Sequence, residues 1–130
     1  MLDHDSVRSV ELRANPEVRE MRLYAMDAWV HRAAILTDRD RLEAILLGAA
    51  ERGGACVVGK EFFVFPNGAV TGVLLLAQSH LSLHTWPELA LANVDLLSYG
   101  DVRGEVVLDV IREELGVERA RVRRIRRSLD

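Results

Sequence analysis

Val73 to Ala77 is an unbroken apolar run, and beyond it Leu81 and Leu83 alternate with His80, Ser82 and His84. A short continuous apolar run reads as a buried strand, and a period of two reads as a strand with one dry and one polar face. Ser79 falls on the Leu81 and Leu83 face of a regular strand, so bringing it to His84 requires a bend or bulge at the Gln78–Ser79 junction. By spacing alone, the hydroxyls and imidazoles are equally the reactive wall of a site or the wet face of an ordinary amphipathic strand.

The same periodicities run through the rest of the chain. Residues 22 to 30 read as a first strand. Thr37 or Asp38 caps a helix whose apolar positions Leu42, Ile45, Leu46 and Ala49 share one face before Gly53-Gly54 ends it. Strands are predicted over 55 to 65, 70 to 78, 81 to 86 and 91 to 99, with Pro66-Asn67-Gly68 the clearest turn between them. Asp101 is placed to cap a second helix with the stripe Val106, Val107, Val110, Ile111 and Leu115, closed by Gly116, and residues 117 to 125 form a last strand. This order predicts an α+β fold, a two-layer sandwich of one antiparallel sheet with both helices on one face. The other face is left open, and its apolar residues call for a partner.

Composition narrows the setting. A chain of 130 residues that is 49% hydrophobic suits one domain with a real core. Residues 1–20 are polar, broken by Pro16, and read as an extension; 21–130 form the single domain. No apolar stretch nears the roughly 20 residues of a membrane span, and the charged start Met1-Leu2-Asp3-His4-Asp5 lacks the apolar segment of a secretion signal. A cytoplasmic location without membrane attachment is therefore expected. The net charge of −3 exerts no pull toward nucleic acid. Arg119, Arg121, Arg123, Arg124, Arg126 and Arg127 cluster at the end without interleaved aromatics, and fit a solvated edge strand better than a nucleic-acid surface. Cys56 is the only cysteine, which forbids an intrachain disulfide, and no histidine has partners at metal-site spacing.

The sequence from Phe65 to Gly100 resembles the core of the prokaryotic S-adenosylmethionine decarboxylases, small enzymes that make a pyruvoyl cofactor from an internal serine. Ser79, His80, Ser82, His84, Thr85, Trp86, Pro87 and Glu88 match the most specific motif. Phe65-Pro66, Gly68, Thr71-Gly72, Val94-Asp95 and Gly100 extend the match on both sides.

The resemblance implies that the chain cleaves itself between Gln78 and Ser79. The Ser79 hydroxyl attacks the Gln78 carbonyl, amide becomes ester, and elimination leaves a dehydroalanine that hydrolyses to the pyruvoyl group. Thr71 stands where the family has a serine that steadies the oxyanion, and it is equally a β-branched strand former. His84 matches the histidine that takes the Ser79 α-proton, a task suited to the side chain that ordinarily titrates nearest neutrality. In the mature family enzymes the pyruvoyl ketone condenses with the substrate amine, and the neighbouring carbonyl accepts the electrons left by carbon dioxide. Phe65 matches the position that stacks on adenine, and Glu88 one suited to the ribose hydroxyls. Family members pair sheet to sheet as homodimers with two active sites at the interface.

Two departures bear on substrate. Gln78 replaces the usual glutamate with a neutral near-isostere. Tyr99 replaces the cysteine that protonates the substrate carbon. A thiol, with pKa about 8.5, is a stronger acid than a phenol at about 10, yet both carry their proton at neutral pH. The larger ring changes what fits. S-adenosylmethionine, ornithine and arginine thus stand as alternative substrates, and an uncut, non-catalytic binding homologue stands as the alternative to an enzyme.

Overall fold

The computed structural model describes residues 20–128. The extension expected over 1–20 lies, apart from Glu20, outside the described residues. Strand β1 spans Met21–Val30, a 3-10 turn Ala33–Thr37, helix α1 Arg39–Arg52, strands β2 Val57–Val64, β3 Val70–Leu76 and β4 Ser79–Trp86, a second 3-10 turn Pro87–Leu89, β5 Leu91–Tyr99, helix α2 Gly104–Leu115 and β6 Val117–Arg127. The strands form one sheet in the order β2-β3-β4-β5-β1-β6, and every neighbouring pair is antiparallel.

Burial in β4 follows the alternation read from the sequence, whereas the apolar run of β3, expected to be buried throughout, also alternates and leaves Leu75 exposed. Tyr24, Met26 and Ala28 of β1, Val70 and Leu74 of β3, Leu81 and Leu83 of β4, and Val94 and Leu96 of β5 are all buried against the helices. The helices answer with Leu42, Ile45, Leu46 and Ala49 from α1 and Val107, Leu108 and Ile111 from α2. Gly72 is required at its position, because a Cβ there would lie 2.1 Å from the Phe62 ring on the neighbouring strand. On the other face Phe63, Leu75, Trp86 and Ile125 stay exposed. The arginine-rich β6 is an edge strand. Its Arg124 makes a two-pronged bond to Glu105 of α2 at 2.6 and 2.7 Å, and that bond holds the Glu105 carboxyl below the usual carboxylate range.

Capping agrees at one helix and differs at the other. Asp38 caps α1 by accepting the Arg41 N–H at 3.1 Å. Asp101 does not cap α2, which starts three residues later, after Arg103. The loop is consumed in a tether to the end of α1: the Arg103 N–H donates to the Gly53 carbonyl at 2.8 Å, and its guanidinium to the Arg52 carbonyl at 2.7 Å. Gly104 then lets the helix start flush against the Tyr24 ring, 2.4 Å from where a Cβ would stand.

The Gln78–Ser79 junction also differs from expectation. It is no bulge within a strand but a tight turn, Ala77-Gln78, between Leu76 and its partner Ser79. Strand β3 therefore stops at Leu76 and β4 begins at Ser79, two residues earlier than the alternation of Leu81 and Leu83 suggests.

Candidate active site

Cross-strand pairing sets one row of side chains straight across the open face. Phe63 pairs with Thr71, Thr71 with His84, His84 with Asn93, Asn93 with Asp27 and Asp27 with Arg121. Residues paired in this way point to the same side of a sheet. The Thr71 Oγ1 and His84 Nδ1 atoms are 2.6 Å apart, so the hydroxyl fixes the imidazole and leaves Nε2 for chemistry.

Around His84 the rings pack edge to face. Phe65 lies 6.0 Å from it by ring centroid and Trp86 4.5 Å, while Phe63 packs against Phe65 at 5.0 Å. Phe65 is held by the turn that follows β2, where its N–H donates to the Ala69 carbonyl at 2.8 Å and Gly68 takes φ +88°. Glu88 comes from the 3-10 turn after Pro87, ended by Ala90 in the left-handed region at φ +50°. An open pocket of about 450 Å³ results, lined by Phe65, Pro66, Asn67, Ala69, His84, Trp86 and Glu88. It joins an aromatic floor to a base and a carboxylate.

Beneath His84, Thr85 faces the other way and is fully buried. Its Oγ1 accepts the Val70 N–H at 2.8 Å and donates to the Leu36 carbonyl at 2.8 Å, tying β4 to β3 and to the first 3-10 turn.

Ser79 is elsewhere. It opens β4 five residues before His84, about 16 Å away along an unbroken strand and on the opposite face. The Ser79 Oγ is buried and has no hydrogen-bond partner among the described residues. Gln78, just before it, holds φ +58°, a left-handed conformation that costs a residue with a Cβ on the order of 1 kcal/mol or more. Tyr99 ends β5, opposite Met21. Continuing the β4–β5 register one and two steps past His80–Leu97 sets Ser79 beside Ser98 and Gln78 beside Tyr99.

The expected residues thus fall into two groups at opposite ends of the sheet. Phe65, Thr71, His84 and Glu88 form one; Gln78, Ser79 and Tyr99 form the other. The bend expected to carry Ser79 to His84 within one chain is absent, because the turn reverses the chain at Gln78 and regular pairing resumes at once. Sequence reasoning also gave no role to Trp86, Asn93 and Asp27, which share the row and pocket of His84. Their signal is the period of two: Trp86 shares a face with His84, and Asn93 shares one with Tyr99. Among the described residues no cluster suited to a metal ion occurs, and no helix is long and apolar enough to cross a membrane.

The S-adenosylmethionine decarboxylase family profile matches residues 22–128. The S-adenosylmethionine decarboxylase proenzyme of Pyrococcus abyssi is 36% identical over 97 residues, 74% of this chain and 70% of that one. That of Parasynechococcus marenigrum is 40% identical over 96 residues, 73% of this chain and 75% of its own length. In three dimensions, the crystal structure of the adenosylmethionine decarboxylase from Aquifex aeolicus matches with a TM-score of 0.78 at 27% identity, covering 86% of this chain and 93% of that one.

Proposed function

Because the chain belongs to the S-adenosylmethionine decarboxylase family, we propose that it is a proenzyme cleaving itself between Gln78 and Ser79 to become a pyruvoyl-dependent S-adenosylmethionine decarboxylase of cytoplasmic polyamine synthesis. The observation that carries this reading is the pairing of a buried, unpartnered Ser79 Oγ with a left-handed, non-glycine Gln78 on the carbonyl side of the same bond. A hydroxyl with no competing partner is free to attack, and opening the turn releases the local strain. These residues fit a cofactor made from the chain itself, since the orphaned oxygen adjoins the carbonyl it must reach.

The gap of about 16 Å between Ser79 and His84 along β4 supports a composite site. A twofold axis running across the strands near Ser82, halfway between the two residues, lays the Ser79 end of one β4 over the His84 end of its partner's. Each homodimer then holds two sites, each with Gln78, Ser79 and Tyr99 from one protomer and Phe65, Thr71, His84 and Glu88 from the other. The exposed Phe63, Leu75, Trp86 and Ile125 supply apolar surface for that contact.

In this site the His84 imidazole, oriented by the Thr71 hydroxyl, removes the Ser79 α-proton once the acyl group has moved to oxygen, and the Gln78 carboxylate leaves. Thr71 is the donor placed to steady the oxyanion of the preceding attack. The finished pyruvoyl group supplies a ketone for the substrate amine and a carbonyl that takes up the electrons freed with carbon dioxide. Phe65 offers an aromatic face to the adenine, Glu88 accepts hydrogen bonds from the ribose hydroxyls, and the Tyr99 hydroxyl is the acid that returns a proton to the substrate carbon.

Intact-mass measurement tests the maturation step. Two fragments dividing at Ser79, the second with a pyruvoyl start, are expected from the wild type and a single full-length species from Ser79→Ala. A wild type that stays whole makes the chain a binding homologue and overturns the reading. Substrate choice is tested by carbon dioxide release. S-adenosylmethionine is expected to turn over well ahead of ornithine and arginine, and Tyr99→Cys to raise that rate by restoring the stronger acid. Turnover of an amino acid alone reassigns the substrate to ornithine or arginine.

A further inference from the structure

Trp86 forms one wall of the pocket and packs against His84, and within a single protomer it stands 41% exposed at the end of β4. What holds it is a chain of hydrogen bonds across three strands. The Trp86 indole Nε1 donates to Asn93 Oδ1 at 2.6 Å, and the Asn93 Nδ2 donates to Asp27 Oδ1 at 2.8 Å. The carboxylate can only accept, so it fixes which way the amide points and turns the Asn93 oxygen toward the indole. Asp27 in turn pairs in register with Arg121 of β6.

We propose that Asn93, oriented by Asp27, is a positioning residue that locks Trp86 against His84 and so preshapes the pocket for its ligand. This rests on the decarboxylase reading for the identity of that ligand, but not for the geometry. A free indole at the strand end can turn about χ1 and χ2. Each turn opens that wall of the pocket and breaks the ring contact with His84. Holding the ring before the ligand arrives removes that ordering cost from binding. Loss of the lock therefore weakens ground-state and transition-state binding alike, which raises KM and leaves kcat nearly unchanged.

Asn93→Ala is expected to raise KM for S-adenosylmethionine about fivefold, the size of one net hydrogen bond, with kcat within about twofold. Asn93→Asp sets carboxylate against carboxylate and is expected to do at least as much damage. The exchange Asp27→Asn with Asn93→Asp rebuilds the chain with its donor and acceptor reversed, and is expected to return KM to wild type. A ligand-free readout stands beside the kinetics: the Trp86 indole N–H resonance, assigned through Trp86→Phe, is expected to shift in Asn93→Ala and return in the double exchange. An unmoved resonance, or a variant whose defect lies in kcat or in loss of association by light scattering, overturns the positioning role. If wild-type protein turns over no S-adenosylmethionine while the resonance behaves as stated, the substrate assignment fails and the lock stands.

Discussion

Co-expressed Ser79→Ala and His84→Ala chains, each inert alone, are expected to recover about a quarter of wild-type decarboxylase activity, the yield of random pairing in a two-site dimer. Half of such dimers are mixed. In a mixed dimer one site receives Ser79 and Tyr99 from the His84→Ala chain and an intact His84 with its Thr71, Phe65 and Glu88 from the other, while the second site lacks both key groups. Cleavage should follow the same rule. About half of the His84→Ala chains divide at Ser79, and no Ser79→Ala chain does. Distance favours the composite site, because a continuous β4 holds Ser79 and His84 of one chain about 16 Å apart, far beyond the reach of a proton transfer. A mixture as inactive as its parents, with association intact by light scattering, would mean that each chain serves itself and that β4 must break to do so.

That outcome depends on a feature the sequence hid. Alternation at Leu81 and Leu83 revealed which face of β4 is dry, because a period of two is local and survives in any antiparallel sheet; the unbroken apolar run of β3 hid its parity, and Leu75 lies exposed on the open face. The helices were legible for the same reason, through Leu42, Ile45 and Leu46 in one and Val107 and Ile111 in the other. The Asp38 cap was legible because its bond to Arg41 closes within one turn. The start of α2 was not, since it is set by a contact with Gly53, about fifty positions upstream. Likewise the pattern showed His84 and Ser79 as reactive types and set a turn between the strands ending at 78 and starting at 81, but it did not place the reversal at Ala77-Gln78, ahead of Ser79. Glycine or asparagine usually marks such a left-handed position, and here a glutamine holds it. Asn93 and Asp27 escaped notice because their partnership with Trp86 is a matter of register, which no single strand records.

Thr85→Val is expected to cost about 2–4 kcal/mol of folding stability, read as a fall in the urea midpoint at fixed protein concentration. The substitution keeps the shape and removes one oxygen. That oxygen satisfies two buried backbone groups, the Val70 N–H and the Leu36 carbonyl, each at 2.8 Å. Both are stranded when it goes, and a stranded buried group costs roughly 1–3 kcal/mol. Thr85→Ser keeps the hydroxyl, loses only a methyl group and is expected to cost about 1 kcal/mol. The contrast separates two explanations for a threonine inside a run of reactive residues. If it served chemistry, valine would silence the enzyme and leave the fold untouched; as the clamp beneath His84, it should act through stability. Val70 and Leu36 are joined to β4 by this hydroxyl, and the neighbours on either side, His84 and Trp86, face the pocket. The clamp therefore fixes the height of the reactive strand over the helical layer, and its loss should loosen the Thr71–His84 pairing only as β3 and β4 part. A Thr85→Val protein with an unchanged midpoint would show that the backbone finds other partners, and would return Thr85 to the list of residues that need a chemical role.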